Sequence, residues 1–184
     1  MNSNFVYVKD NVISKKDCDY IINFFNNKVI ELKNIEAIEN VGYDYIDIEE
    51  YNVMNFLKPI CNDHINIYKK KYPQSNLTAS QWSLANMRFK KYRPNRFFKS
   101  WHSEHSLNSP YRVLNIMIYL SNHNCGTEFF NGKIIKSKIG RLCIFPSYFT
   151  HTHRGQVCPD KKERYLLSGY YSFNKIGNKE TSII

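Results

Sequence analysis

A histidine and a glutamate one residue apart, His102 and Glu104, followed forty-nine residues later by His153, constrain this chain more than any other feature. On an extended segment, residues i and i+2 point to the same side, so His102 and Glu104 can reach one ion together. The third donor must then arrive from a different strand, and His153 lies just past the apolar run Leu142-Cys143-Ile144-Phe145-Pro146. Two imidazoles and one carboxylate are the minimal set that holds a non-haem Fe(II) on one triangular face, with three positions left open. An H-x-E pair alone also describes an ordinary pair on a strand surface. What surrounds it in the chain decides between the two.

From Ser83 onward the hydrophobic pattern moves towards period two. Turn signals stand at Pro94-Asn95, Asn108-Ser109-Pro110, Asn122 to Gly126, Asn131-Gly132 and Cys158-Pro159-Asp160. Many short strands punctuated in this way predict a sandwich or a barrel. Upstream, Ser14-Lys15-Lys16-Asp17 predicts a helix start, with Cys18, Ile21, Ile22, Phe24 and Phe25 on one apolar face as far as about Asn27. A second helix is predicted from Tyr51 to Tyr72, interrupted or kinked at Pro59. Met1 to Val8 reads as an edge or first strand, and Tyr43 to Ile48 as a short strand. The expected organisation is one domain over residues 1–184, with helical support to about 80 and a β core over about 83–174.

The remaining composition sets bounds. A hydrophobic content of 42% with 15% aromatics suits a globular chain. No apolar run approaches the ~18 residues of a membrane span, and no signal-like N-terminus is present, so no membrane partner is expected. Five cysteines without C-x-x-C spacing read as reduced and mostly structural, which predicts a cytoplasmic protein. The net charge is +10, and part of it is concentrated in Lys69-Lys70-Lys71 and in Arg88, Lys90, Lys91, Arg93, Arg96 and Lys99. Such charge favours an anionic partner, nucleic acid included, although a solvated surface produces the same composition.

The landmarks between Asn86 and Phe173 follow a recognisable order. They are Lys91-Tyr92-Arg93-Pro94, Trp101-His102-Ser103-Glu104, Gly126-Thr127-Glu128-Phe129, Gly140-Arg141-Leu142, Phe145-Pro146, His151-Thr152-His153-Arg154-Gly155, Arg164-Tyr165 and Ser168-Gly169. This order resembles the 2-oxoglutarate- and Fe(II)-dependent dioxygenases of the prolyl 4-hydroxylase-like group, particularly their short phage-type forms. The resemblance implies a mainly β fold with N-terminal helices around a double-stranded β-helix, the jelly-roll or cupin-like core. It also implies a host-cell cytoplasmic setting for a phage-encoded member.

The same resemblance implies a residue-by-residue site. His102, Glu104 and His153 would hold the metal and be catalytic, with Glu standing where most relatives have Asp. Between His151 and His153, the histidine directly before Arg-Gly is the ligand, which leaves His151 at the rim. Arg164, eleven residues after His153, would hold the far carboxylate of 2-oxoglutarate, assisted by Ser168, Tyr92 and Tyr119. A buried guanidinium needs an anion, and its planar fork matches a carboxylate. Lys161, Lys162 and Arg154 compete for that role from a loop. Asn115 and Thr127 are further pocket candidates, and Phe98 and Trp101 flank the metal segment. His105 falls outside the triad, and His64 and His123 carry no signal.

The implied reaction uses O2 and 2-oxoglutarate, with ascorbate as a reductant in many relatives, and hydroxylates a peptide or protein residue. The alternatives are a dioxygenase acting on nucleic acid and a non-catalytic cupin-like binding module.

Overall fold

A computed structural model describes residues 5–28, 33–35 and 43–174 apart from 79. The expected strand at the N-terminus is present as β1 (Tyr7–Lys9); Met1 to Asn4 lie outside the described residues. Helix α1 (Lys15–Asn26) starts where the capping signal predicts, with the Ser14 hydroxyl accepting from the Asp17 amide at 3.1 Å. Strands β2 (Lys33–Ile35) and β3 (Tyr43–Asp47) follow, then α2 (Val53–Lys71). The core strands are β4 (Trp82–Tyr92), β5 (Arg112–Tyr119), β6 (Gly126–Phe129), β7 (Ile134–Lys136), β8 (Arg141–Pro146), β9 (His153–Gly155) and β10 (Arg164–Phe173).

All described strand pairs are antiparallel. Seven strands form one sheet in the order β1-β8-β5-β10-β4-β3-β2, and three form a second in the order β7-β6-β9. This is the two-sheet jelly roll that the resemblance implied, within the sandwich-or-barrel class that the patterning predicted.

Alternation along β10 divides the large sheet into two working faces. Tyr165, Leu167 and Tyr171 belong to the core beneath the helices, where Phe25 of α1 stacks on Phe89 of β4 at 4.9 Å between ring centroids. Arg164, Leu166, Ser168 and Tyr170 face the other way and line a cavity. A smaller core of Tyr92, Tyr119, Phe129, Phe145 and Leu166 closes the space between the two sheets. The helices therefore stiffen the wall that carries the cavity residues.

Four expectations need correction. The N-terminal segment is not helical support alone, because β1, β2 and β3 all join the large sheet. Helix α2 runs as one element through Pro59. The hydrogen bond lost there belongs to the Asn55 carbonyl, and Asn55 is exposed, so water can satisfy it.

Of the five cysteines, Cys18, Cys61 and Cys143 are free and buried, but Cys125 and Cys158 are joined as a disulfide, with their Cα atoms 4.9 Å apart. The basic run is not a continuous solvated patch either. Arg88 pairs with Asp47, Lys91 with Glu163 and Arg93 with Asp44, while Lys90 is buried. Pairing of β4 with β3 brings Asp44 and Asp47 alongside, and its pairing with β10 brings Glu163, which linear sequence does not reveal.

Candidate active site

His102 and Glu104 do not sit on a regular strand. The segment between β4 and β5 is largely loop, and His102 is fixed by a single antiparallel bridge to His153 on β9. Its amide donates to the His153 carbonyl at 3.0 Å, and the His153 amide returns the bond at 2.9 Å. Two residues on, the Glu104 amide donates to the Ser147 carbonyl at the end of β8, at 3.0 Å. The same-side placement predicted from i, i+2 spacing is achieved, but by these tethers instead of by strand alternation.

The donor atoms converge. Glu104 Oε1 lies 3.6 Å from His102 Nε2 and 4.0 Å from His153 Nε2. One ligand atom from each of the three residues lies within 4.8 Å of the other two.

The imidazole orientations are set from behind. His102 Nδ1 faces the Ser100 carbonyl at 3.0 Å, and His153 Nδ1 faces the His151 carbonyl at 3.0 Å. A carbonyl can only accept, so each Nδ1 carries the proton and each Nε2 presents a lone pair to the shared centre. His151 thus contributes its backbone; its side chain lies beside the Thr150 hydroxyl at 2.9 Å. Phe98 packs on the His102 ring at 4.0 Å between centroids.

Electrostatics favour the same donor set. Burial, followed by the neighbouring His102, pushes the His153 pKa down to about 4, which keeps its imidazole neutral near pH 7. Burial acts to raise the Glu104 carboxyl, but His102, Lys90 and His153 outweigh it and hold the group below the ordinary carboxylate range. Two imidazole Nε2 atoms and an ionised carboxylate oxygen converging on one point fit a divalent first-row metal.

Arg164 opens β10, opposite Tyr92 in register. It is 3% exposed, and its guanidinium lies 4.5 Å over the Tyr92 ring. Nη1 faces the sulfurs of Cys125 and Cys158 at 3.3 and 3.7 Å, while Nε has no hydrogen-bond partner. No described carboxylate pairs with it. Gly155 makes room for the group, since a Cβ there would stand 3.3 Å from Nη2. A buried, unpaired guanidinium is costly, and this one faces a cavity of about 170 Å³ shared with the triad. A guanidinium so placed suits a small anion.

The other expected residues fall as follows. Ser168, Asn115 and Thr127 line the cavity, as does Tyr119, whose hydroxyl is 2.7 Å from Thr127 Oγ1. Burial raises the pKa of both Tyr92 and Tyr119, so each stays a neutral phenol. Arg154 is committed elsewhere, to Glu128 at 2.9 Å and over the Trp101 ring at 4.3 Å. Lys161 and Lys162 are exposed, and Trp101 lies outside the cavity against Phe130. His105 stacks on Tyr148 at 4.7 Å.

Sequence reading missed Arg88, Lys90, Arg112 and Tyr43 as cavity residues, whereas strand alternation does place Tyr170 on the Arg164 face. For Arg88 and Lys90 a signal existed, since both share strand parity with Tyr92. It also gave no role to His123, whose Nδ1 lies 2.8 Å from Asp160 Oδ2 beside Cys158.

No family model matches the chain, and no curated protein sequence does. Solved structures do match. The viral collagen prolyl hydroxylase of Paramecium bursaria Chlorella virus-1, solved as a 2-oxoglutarate complex, aligns with a TM-score of 0.71 at 16% identity, covering 94% of this chain and 98% of that one. A Pseudomonas putida prolyl-4-hydroxylase aligns with a TM-score of 0.71 at 13% identity, covering 94% and 95%. A Trichoplax adhaerens prolyl hydroxylase, solved with a hypoxia-inducible-factor peptide fragment, reaches 0.73 at 13% identity, covering 94% and 85%. Across nearly its whole length, this chain has the double-stranded β-helix fold of the prolyl 4-hydroxylases.

Proposed function

We propose that this protein is a 2-oxoglutarate- and Fe(II)-dependent dioxygenase that hydroxylates a residue of a peptide or protein. The observation that carries this reading is the pairing, in one cavity, of a His-Glu-His donor set with a buried guanidinium that has no anion. A metal site alone suits many binding proteins. An anion anchor a short strand-length away suits a ligand that chelates at one end and is clamped at the other. The structural likeness to hydroxylases solved with 2-oxoglutarate and with a peptide supports the same reading.

In this reading His102, Glu104 and His153 hold the ion, and Arg164 clamps the far carboxylate of 2-oxoglutarate through charge-assisted bonds. Tyr92 covers one face of that guanidinium, and Ser168 stands between anchor and metal on the same strand face. Ferrous iron there supplies the dioxygen chemistry, in which 2-oxoglutarate is converted to succinate and CO2 and the substrate gains a hydroxyl. The chain's own task is to orient two imidazoles from behind through backbone carbonyls, keep Glu104 ionised and close the cavity walls around the reacting groups. A non-catalytic binding module has no use for so costly an unpaired cation as Arg164.

The test is succinate formation from 2-oxoglutarate with Fe(II) and O2, first without and then with prolyl and other peptides, with mass spectrometry of the peptides. Slow succinate release alone, accelerated by a peptide that gains one oxygen atom, is the expected result. Absence of any 2-oxoglutarate turnover in metal-loaded protein would refute the reading.

A further inference from the structure

Arg164 is not the only cation in the cavity without a counter-charge. Lys90, on β4 between Arg88 and Tyr92, lines the same cavity and is only 8% exposed. Among the described residues its ammonium makes no hydrogen bond or ion pair; it lies 5.1 Å from the centre of the Tyr43 ring, and Glu104 is the cavity carboxylate whose charge it feels. Burial lowers its pKa to about 8, with Glu104 acting in the opposite direction, so the group is mostly charged at neutral pH.

Neighbouring cations are already engaged. Arg88 is held by Asp47 at 2.7 Å and Arg112 by Glu104 at 2.9 Å. Four cationic side chains, Arg88, Lys90, Arg112 and Arg164, line the cavity against one carboxylate, Glu104. A divalent metal and doubly ionised 2-oxoglutarate cancel each other and leave that imbalance in place. Even with Asp47 counted, cations exceed acids by two, 4 minus 2.

The position of Lys90 separates it from the cosubstrate. β10 carries the line from Arg164 to Tyr170, which touches Glu104, so the anchor-to-metal path follows that strand. Lys90 pairs with Leu166 in register but belongs to β4, and it leans towards Tyr43 of β3. It flanks the path from the side of the β3 edge.

We infer that Lys90 receives the substrate to be hydroxylated, and that this substrate brings a carboxylate: an acidic side chain of a peptide or protein. The inference rests on the dioxygenase reading above. It follows that a lysine or arginine side chain is a poor occupant, because the walls already repel it.

The experiment uses calorimetry on the full chain with Mn(II) and 2-oxoglutarate. The probes are N-acetylated, C-amidated tripeptides with Asp or Glu at the centre and their Asn or Gln twins. Wild-type protein should bind an acidic probe about ten-fold or more tightly than its amide twin, the scale of one charge-assisted hydrogen bond. Lys90→Met should erase the preference, and Lys90→Arg should restore most of it. Met keeps the volume and removes a buried charge, so folding is preserved.

Equal binding of the twins, no measurable binding of either, or an acidic preference that survives in Lys90→Met would each overturn the inference. Tighter, Lys90-dependent binding of a single-stranded oligonucleotide would also overturn it, in favour of a phosphate substrate. Loss of succinate formation in the wild-type protein would count against the dioxygenase reading, while the calorimetric comparison would still report on Lys90.

Discussion

Arg112 holds Glu104 by one oxygen and leaves the other to the histidines. Its Nη1 donates to Glu104 Oε2 at 2.9 Å, and the Tyr170 hydroxyl donates to the same oxygen at 3.0 Å, while Oε1 faces both Nε2 atoms. The guanidinium in turn lies 3.6 Å over the Tyr170 ring, so the two supports brace each other. A glutamate has one more rotatable bond than the aspartate usual at this place in the family it resembles, and this double grip removes that freedom.

Loosening the grip should therefore weaken metal binding without removing a ligand. Arg112→Met or Tyr170→Phe is expected to lower Mn(II) affinity by about ten-fold or more, in line with other supports behind metal ligands. Titration calorimetry of the two variants checks it; unchanged affinity in both would mean Glu104 is positioned by its backbone tether alone.

The two histidines that flank Thr152 should behave differently. His153→Ala removes an Nε2 donor and should abolish tight Mn(II) binding, whereas His151→Ala keeps the backbone carbonyl that orients His153 and should retain most of it. The reverse ranking would make His151 the ligand.

Arg164→Ala should raise the apparent KM for 2-oxoglutarate by roughly ten-fold or more, since a hydrogen bond to a charged group contributes about 1.5–3 kcal/mol. Metal affinity should change little, because no contact joins Arg164 to the triad in the described structure. Steady-state succinate assays paired with metal titration separate the two effects. A cosubstrate KM unmoved by this change would shift the anchoring role to another cavity cation.

A stability prediction concerns the outer edge of the large sheet. Asp10 accepts from Arg141 Nε at 2.6 Å, from Arg141 Nη2 at 3.1 Å and from Lys138 Nζ at 2.8 Å, and these bonds hold its carboxyl well below its ordinary value of 3.8. With the folded pKa depressed, the contribution is present above 3.8 and is lost as pH falls below it. Asp10→Asn should thus lower the melting temperature at pH 7, and the gap from wild type should narrow as the pH is taken below that value. A gap that persists unchanged into acid would show that the contact acts through packing and not through charge.

How much of this was legible beforehand depends on how local each cause is. The α1 cap, the face of β10 that carries Arg164 and Ser168, and the turns that punctuate the β region all follow from nearest-neighbour chemistry and strand alternation. His153 was separable from His151 by family resemblance but not by spacing, because the two were read on one regular strand. In the fold, His151 closes a short 3₁₀ turn and His153 opens β9.

By itself, then, the sequence offered His102, Glu104 and His153 as donors to a metal, offered Arg164 as an anion anchor only through family resemblance, and determined that the second half is built of strands. Those properties reside in side-chain type and in periodicities of a few residues. Tertiary structure alone decided that a loop bridge to β9 aligns His102, that Arg112 and Tyr170 orient Glu104, that Cys125 meets Cys158 against Arg164 and that Lys90 faces the cavity unpaired. Each of these depends on contacts between segments distant in the chain, and the sheet register that creates them is set by the whole core.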